Sequence, residues 1–306
     1  MQKQSCKVEI KKIVSKLINT LIPRPLLAKL FPRKYGDKTN DNIIIKIKDQ
    51  IGRKVFRMLL RCDGFIENKI HACGLYGEWE KESLKIWAQL SRISNVIIDV
   101  GANTGVYSLL ARNNNHRARI IAIEPVNENF DVLTQNVKAN KFIIDCEKIA
   151  ISDKEGVAKM FMLKGQLNYM TSIGENRYAS CPEITGGAEI VEIEVPIRPF
   201  SYVHFKHKLP KIDLVKIDVE GHETTVVRSM LPYLEQYRPS ILIEIIGEKN
   251  AIELDDMFRK LDYCFISIDE VNQSQVVNKL WDNHHHNFLI CDKNTIQYLQ
   301  SKGLVA

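Results

Sequence analysis

The chain of 306 residues has no apolar run approaching the roughly 20 residues that a membrane-spanning helix needs, so no such helix is expected. Its N-terminus lacks the unbroken apolar stretch of a secretory signal, because charges interrupt it every few positions. Paired cysteines are missing too. Cys6, Cys62, Cys73, Cys146, Cys181, Cys264 and Cys291 are odd in number and form no CxxC pair, which points to reduced structural thiols in a cytoplasmic protein. Acid is scarce at the start, where Lys3, Lys7, Lys11, Lys12, Lys16, Arg24, Lys29, Arg33 and Lys34 meet only Glu9 before Asp37. Such a segment suits an anionic partner or lipid surface, and equally a solvated face. The excess is local, and neither an aromatic platform nor an NPPY-like tetrapeptide accompanies it, so nucleic acid is not expected as a partner.

Residues 8–22 read as an amphipathic helix, with Ile10, Ile13, Val14, Leu17, Ile18 and Leu21 on one stripe and Pro23 as its stop. A helix of this kind packs on its own domain or makes peripheral contact with the inner membrane surface. Residues 23–42 are proline-rich and then polar, as a linker is. Residues 43–72 alternate in places and hold a strand or hairpin. Residues 1–75 are therefore assigned to a basic N-terminal extension and 76–306 to the main domain.

A helix is expected over 78–91, buried through Trp79, Leu84, Trp87 and Leu90. Seven short apolar runs follow, at 96–100, 120–124, 149–152, 212–218, 241–246, 264–269 and 287–291. Helical segments fit between most of them, at 105–113, 127–139, 222–236 and 250–261. Strands without polar alternation are covered on both faces, and strand–helix alternation makes a sheet mostly parallel. The expectation is an α/β domain with a mostly parallel seven-stranded sheet and helices on both faces. Residues 153–208 interrupt the pattern as an insertion over the crevice, with short strands at 157–163 and 189–197.

In such sheets ligands bind beyond the carboxyl ends of the strands. Here those ends carry Asp99, Glu124, Asp218, Glu244 and Asp269. Helix capping would explain any two of them; five suggest a site for a cationic, hydroxyl-rich ligand. The first strand runs into Gly101, Ala102, Asn103, Thr104 and Gly105. Gly101 permits the tight turn and Gly105 lets the next helix pack closely. A dinucleotide fingerprint needs glycine at position 103 to admit a pyrophosphate. Asn103 stands there, which favours a ligand without pyrophosphate; in S-adenosylmethionine the anion is a small carboxylate that a polar side chain can contact, and Asp99 can serve the ammonium end. Glu124 is placed to accept ribose hydroxyls, a device that NAD enzymes share, so it marks an adenosine ligand without choosing between the two. Ala150, Ile151 and Ser152 stand where an adenine ring would lie, or are plain core and turn residues.

The fourth run brings Asp218, Glu220 and His222 to the crevice just before a helix. Here DVGANTGVYS at 99–108, AISDKEG at 150–156, LVKIDVEGHE at 214–223 and LIEI at 242–245 resemble, in this order, the FkbM family of S-adenosylmethionine-dependent methyltransferases. The likeness spans about residues 76–292. It implies a Rossmann-like class I methyltransferase fold and methylation of a hydroxyl on a sugar, glycan or secondary metabolite. Carried over, Asp99, Gly101, Asn103 and Gly105 hold the methionine part, Glu124 holds the ribose, and Asp218 and Glu220 line the reacting end. The family's tyrosine–glutamate element is matched only loosely, by Tyr76 to Glu80.

Asp218 or His222 is the expected base, oriented by Glu220, because a sugar hydroxyl is a poor nucleophile at neutral pH. A magnesium ion on Asp218 and Glu244 is an option but is not called for. His284, His285 and His286 read as a polar turn. The rival readings are a nicotinamide-dependent oxidoreductase on a similar sheet and a non-catalytic, membrane-associated binding module.

Overall fold

The computed structural model describes residues 43–52, 54–61, 64–163, 171–173, 190–282 and 287–306. The amphipathic helix at 8–22, the linker, the three consecutive histidines and part of the insertion lie outside them. The described chain opens with strands β1 (Ile43–Asp49) and β2 (Lys54–Leu60), then helices α1 (Phe65–Cys73) and α2 (Lys81–Ile93). Next come β3 (Val96–Val100), α3 (Val106–Asn114), β4 (Arg119–Ile123), α4 (Asn127–Asn140), β5 (Asp145–Glu147) and β6 (Ala150–Ser152). Strands β7 (Gly156–Leu163), β8 (Thr171–Ile173) and β9 (Ile190–Pro199) follow, then α5 (Phe200–Lys206), β10 (Leu214–Ile217), α6 (Glu223–Tyr237) and β11 (Ser240–Glu244). The chain closes with α7 (Glu248–Lys260), β12 (Cys264–Ser267), β13 (Gln275–Val277), β14 (Asn287–Cys291) and α8 (Lys293–Ser301).

The main sheet has the order β13-β12-β14-β11-β10-β3-β4-β5. Strands β11, β10, β3, β4 and β5 run parallel, and β14, β12 and β13 add antiparallel pairings. Alternate residues of β3 enter opposite cores. Ile97 packs with Leu84, Trp87 and Leu109, whereas Ile98 and Val100 pack with Val226, Met230 and Phe258. Both faces are apolar, which is why the central strands read as near-continuous hydrophobic runs, broken by Asp99 in β3 and Lys216 in β10.

Two expectations need correction. The sheet has eight strands, not seven, because Gln275–Val277 pairs with β12 at the edge. Three residues, Gln-Val-Val, are too short a run to stand out in the sequence; pairing with β12 and the packing of Val277 on the core make this strand. The run at 149–152 does not continue the main sheet. Asp145–Glu147 pairs with β4 there, while Ala150–Ser152 pairs with Ile197–Pro199 in a second sheet of order β6-β9-β7-β8. That sheet contains the two strands expected in the insertion.

The hairpin β1–β2 shares the core of the sheet domain through Ile45, Ile47, Phe56 and Met58. The compact unit runs from Ile44 to Ala306, so residue 75 falls inside it. Among the described residues no helix is long and apolar enough to cross a membrane.

Helix α2 has no side-chain cap at Glu80. Glu270, in the loop after β12, serves that end, accepting from the Glu82 N–H at 2.7 Å, the Ser83 N–H at 3.1 Å and the Ser83 hydroxyl at 2.5 Å. Capping by an anion satisfies orphan donors and complements the helix dipole. Glu270→Ala should therefore lower unfolding free energy by about 1–2 kcal/mol, read from denaturant midpoints at constant slope; an unchanged midpoint would refute the cap.

Candidate active site

The floor of the crevice is the turn between β3 and α3. The N–H groups of Gly101 and Ala102 both donate to the Ile123 carbonyl at 2.9 Å, which ties the turn to the end of β4. Gly101 has φ +81°, and a Cβ there would sit on the carbonyl oxygen of Asp218, so only glycine lets the ends of β3 and β10 approach. Gly105, at φ +96°, is needed against a different neighbour than expected. A Cβ there would meet Leu133 of α4 at 2.5 Å, so the close packing is between helices. Asn103 adopts φ 49°, a left-handed conformation that asparagine tolerates better than most residues.

Glu124 fastens this turn from below. Its Oε2 accepts the Asn103 N–H and its Oε1 the Val126 N–H, each at 2.9 Å. The residue is 4% exposed. Burial pushes its pKa up to about 7, although the hydrogen bonds from Val126, Asn103 and Asn129 oppose the rise.

At the end of β10, Lys216 is 1% exposed, with Nζ 3.1 Å from Asp218 Oδ2 and 5.0 Å from the centre of the Tyr107 ring. Burial alone would raise Asp218. The Lys216 ammonium and hydrogen bonds from Glu244 and Lys216 overcome it, so Asp218 stays below the ordinary carboxylate range. Glu244 is driven the other way, by burial and then by the charges of Asp218 and Glu220, and holds its proton well above the usual range. The two carboxyls are thus a donor–acceptor pair, Glu244 donating and Asp218 accepting. Glu80 accepts a hydrogen bond from the Tyr107 hydroxyl. Burial raises it to about 7 against the opposing charge of Lys216.

Glu220 and Gly221 turn the chain at φ 54° and φ 99°, and His222 begins α6. His222 Nε2 lies 3.4 Å from the Ser152 hydroxyl, which donates to Asp153 Oδ1 at 3.2 Å. Burial lowers the His222 pKa, with Asp153 acting the other way, so the ring is neutral at pH 7.

One cavity brings together most of the residues singled out from sequence: Gly101, Ala102, Asn103, Glu124, Ile151, Asp218, Glu220, His222 and Glu244 all line it. Four do not reach its wall. Asp99 lies behind the turn, where it accepts the Ser108 hydroxyl at 2.6 Å, and burial raises it to about 6. Gly105 is the N-cap of α3. Ser152 is buried beside His222. Asp269 belongs elsewhere, accepting the N–H groups of Val271 and Asn272 in an exposed turn.

Sequence reasoning missed Lys216, Tyr107, Phe65, Ile66 and Met160, and placed Glu80 only loosely. Lys216 interrupts an apolar strand, a signal of a buried partnered charge. Tyr107 follows the glycine turn directly, but nothing in its neighbours announces its hydroxyl partner. Thr104 donates to the buried Glu67, which joins α1 to the glycine turn.

The parallel strands, the crossover helices and the glycine turn against an acidic second strand end define the class I methyltransferase fold. The profile of the methyltransferase FkbM domain matches residues 99–265, more than half of the chain, and the chain belongs to that family. A methyltransferase, sdnD, of Sordaria araneosa is 26% identical over 156 residues, covering 44% of this chain and 60% of its own. The hexuronic acid methyltransferase AglP of Haloferax volcanii is 25% identical over 170 residues, covering 54% of this chain and 62% of its own. The matches thus span about three-fifths of these relatives. The solved FkbM methyltransferase of Methylobacillus flagellatus KT shares 13% identity over 64% of this chain and 43% of its own, at a TM-score of 0.39.

The ion pair of Lys216 is open to direct test. Replacing it with methionine strands the carboxylates of Asp218 and Glu80 in a buried site, and breaking such a pair typically costs about 3–5 kcal/mol. Lys216→Met should lose stability on that scale at pH 8. Because the Lys216 charge depresses Asp218 in the folded protein, its contribution is present above the unfolded pKa of Asp218 and fades as pH falls. The gap between variant and wild type should narrow in acid; a pH-independent gap in thermal melts would sink the assignment.

Proposed function

We propose that the crevice binds S-adenosylmethionine and moves its methyl group to a hydroxyl oxygen on a sugar, glycan or secondary metabolite. The observation that carries this reading is the commitment of the glycine turn to a carboxylate. The Asn103 N–H, which a pyrophosphate would need, is spent on Glu124, and the opposite rim holds Asp218, Glu220 and Glu80. Such a rim repels a diphosphate and attracts a sulfonium and its ammonium group. When bound, this donor supplies a methyl group already activated for displacement.

The chain's residues divide the remaining work. Gly101, Ala102 and Asn103 give the methionine portion a surface without side-chain obstruction, and Glu124 offers its remaining lone pairs to the ribose hydroxyls. Ile151 and Met160 supply an apolar wall suited to a purine face. Asp99 acts through Ser108, holding α3 against the strand. Asp218, Glu220 and His222 stand at the reacting end, where positioning of the acceptor can supply roughly 7–11 kcal/mol of the barrier reduction. The family relation and the hexuronic acid relative support a hydroxyl-bearing acceptor.

Calorimetry with S-adenosylmethionine, its demethylated product and NADH tests the reading. Heat is expected with the first two only, and silence with both would end it. Affinity should fall as pH drops below about 7, since burial holds Glu124 protonated there. Glu124→Gln should bind at least tenfold more weakly and lose that pH dependence.

Magnesium is not part of the proposal. Asp218, Glu220 and Glu244 do bring carboxylate oxygens within 4.8 Å of one another. Yet Asp218 already faces an ammonium, and Glu244 keeps its proton. Turnover should therefore survive EDTA undiminished, and a loss restored by magnesium would return the metal to the site.

A further inference from the structure

Methylating a hydroxyl leaves one proton to dispose of. As the O–C bond forms and the S–C pair stays on sulfur, the O–H proton must pass to a base in the crevice. Asp218 is badly placed to receive it, because its carboxylate is paired with the Lys216 ammonium at 3.1 Å and accepts a hydrogen bond from Glu244. Glu244 is already protonated, and Glu124 is bound on both oxygens by backbone N–H groups. His222 is different. It lines the cavity, and its Nε2 is turned towards Ser152.

The contacts around Ser152 supply the argument for which ring nitrogen is bare. Asp153 is an exposed carboxylate and only accepts, so the Ser152 hydroxyl spends its single proton on Asp153 Oδ1 at 3.2 Å. With that assignment Ser152 Oγ accepts from the ring across 3.4 Å, and Nε2 carries the hydrogen. In a neutral imidazole that leaves Nδ1 with the lone pair. Nδ1 has no hydrogen-bond partner among the described residues. We propose that Ser152 and Asp153 are positioning residues that hold His222 in the Nε2–H tautomer, making Nδ1 the base that takes the acceptor's proton.

The step balances. The proton leaves the acceptor oxygen for Nδ1, the ring becomes an imidazolium that keeps its Nε2–H on Ser152, and the Asp153 charge at the end of the chain faces the new cation. The proton is lost to water from Nδ1 when product departs. This assigns Ser152 to the reacting end in place of the adenine contact expected from sequence. It rests on the methyl-transfer reading, but the arrangement of hydrogens can be checked without it.

The test uses full-length protein labelled with 15N-histidine, with His222→Gln locating the resonances of His222 among the eight histidines. In wild type at neutral pH, Nε2 should read as protonated and Nδ1 as bare. Asp153→Asn, a change at an exposed position, should mix the tautomers, whereas Asp153→Glu should restore the wild-type pattern. With a methylated acceptor in hand, Ser152→Ala and Asp153→Asn should each lower kcat about 10- to 100-fold, within the range of a positioned base, and leave donor binding within twofold. A bare Nε2 in wild type, or an Asp153→Asn variant with an unaltered tautomer, overturns the proposal. If wild type methylates no acceptor and binds no donor, the functional reading fails while the resonances still decide the relay.

Discussion

A buried ammonium among carboxyls sets the character of the crevice. Lys216 rises from the middle of a parallel sheet with 1% exposure, where an unpaired charge would cost several kcal/mol or lose its proton. It is kept charged by Asp218 beside it and by Glu80 farther off, while the protonated Glu244 supports Asp218 with a hydrogen bond. Those partners come from separate parts of the chain, namely the strand end of β10, the approach to α2 and the end of β11, with the Tyr107 ring of α3 against the charge. None of these segments can move far without exposing the others to an uncompensated charge, so electrostatics fixes the mouth of the site much as apolar packing fixes its floor.

That floor is steric. The approach of Gly101 to the Asp218 carbonyl brings the ends of β3 and β10 closer than any side chain at residue 101 would allow. The turn is then drawn to the next strand by two N–H groups on Ile123 and by Glu124 on Asn103. The same carboxylate that a ribose would use also holds the turn. On the proposed reading binding and local structure share one group, and burial of Glu124 with a pKa of about 7 leaves both sensitive to protonation in the physiological range.

Much of this was legible in the sequence, for identifiable reasons. The central strands are apolar on both faces, so VIIDV and LVKI stand out from the amphipathic helices around them, and helix limits near residues 106, 127 and 223 follow from glycine, proline and acid punctuation. The glycine turn and its Asn103 are local, and local chemistry reads directly. What escaped were features made by pairing at a distance. Gln275–Val277 is a strand because β12 offers it an edge. Ala150–Ser152 has the composition of a core strand but finds its partner in β9. Glu270 caps a helix 188 positions away, and Asp99, equivalent in pattern to Glu124, points behind the turn because alternate residues of β3 face opposite cores.

The proton states of the acids follow from these placements and divide the crevice in two. Next to Lys216, Asp218 remains anionic and accepts; one strand further, Glu244 lacks so direct a cation and stays neutral. A carboxylate already satisfied by an ammonium and a neighbouring acid is a weak proton acceptor, however well it is aimed. It is better suited to attract a cationic donor and hold its position. Just before α6 His222 is neutral, and its polar contact runs to Ser152, with the exposed Asp153 beyond. On the proposed reading, charge recognition and proton acceptance sit on separate groups of one turn, Asp218 and His222, with Glu220 and Gly221 in left-handed conformations between them. The backbone there turns sharply enough to present both groups to one cavity, which a regular strand or helix over the same residues would not do.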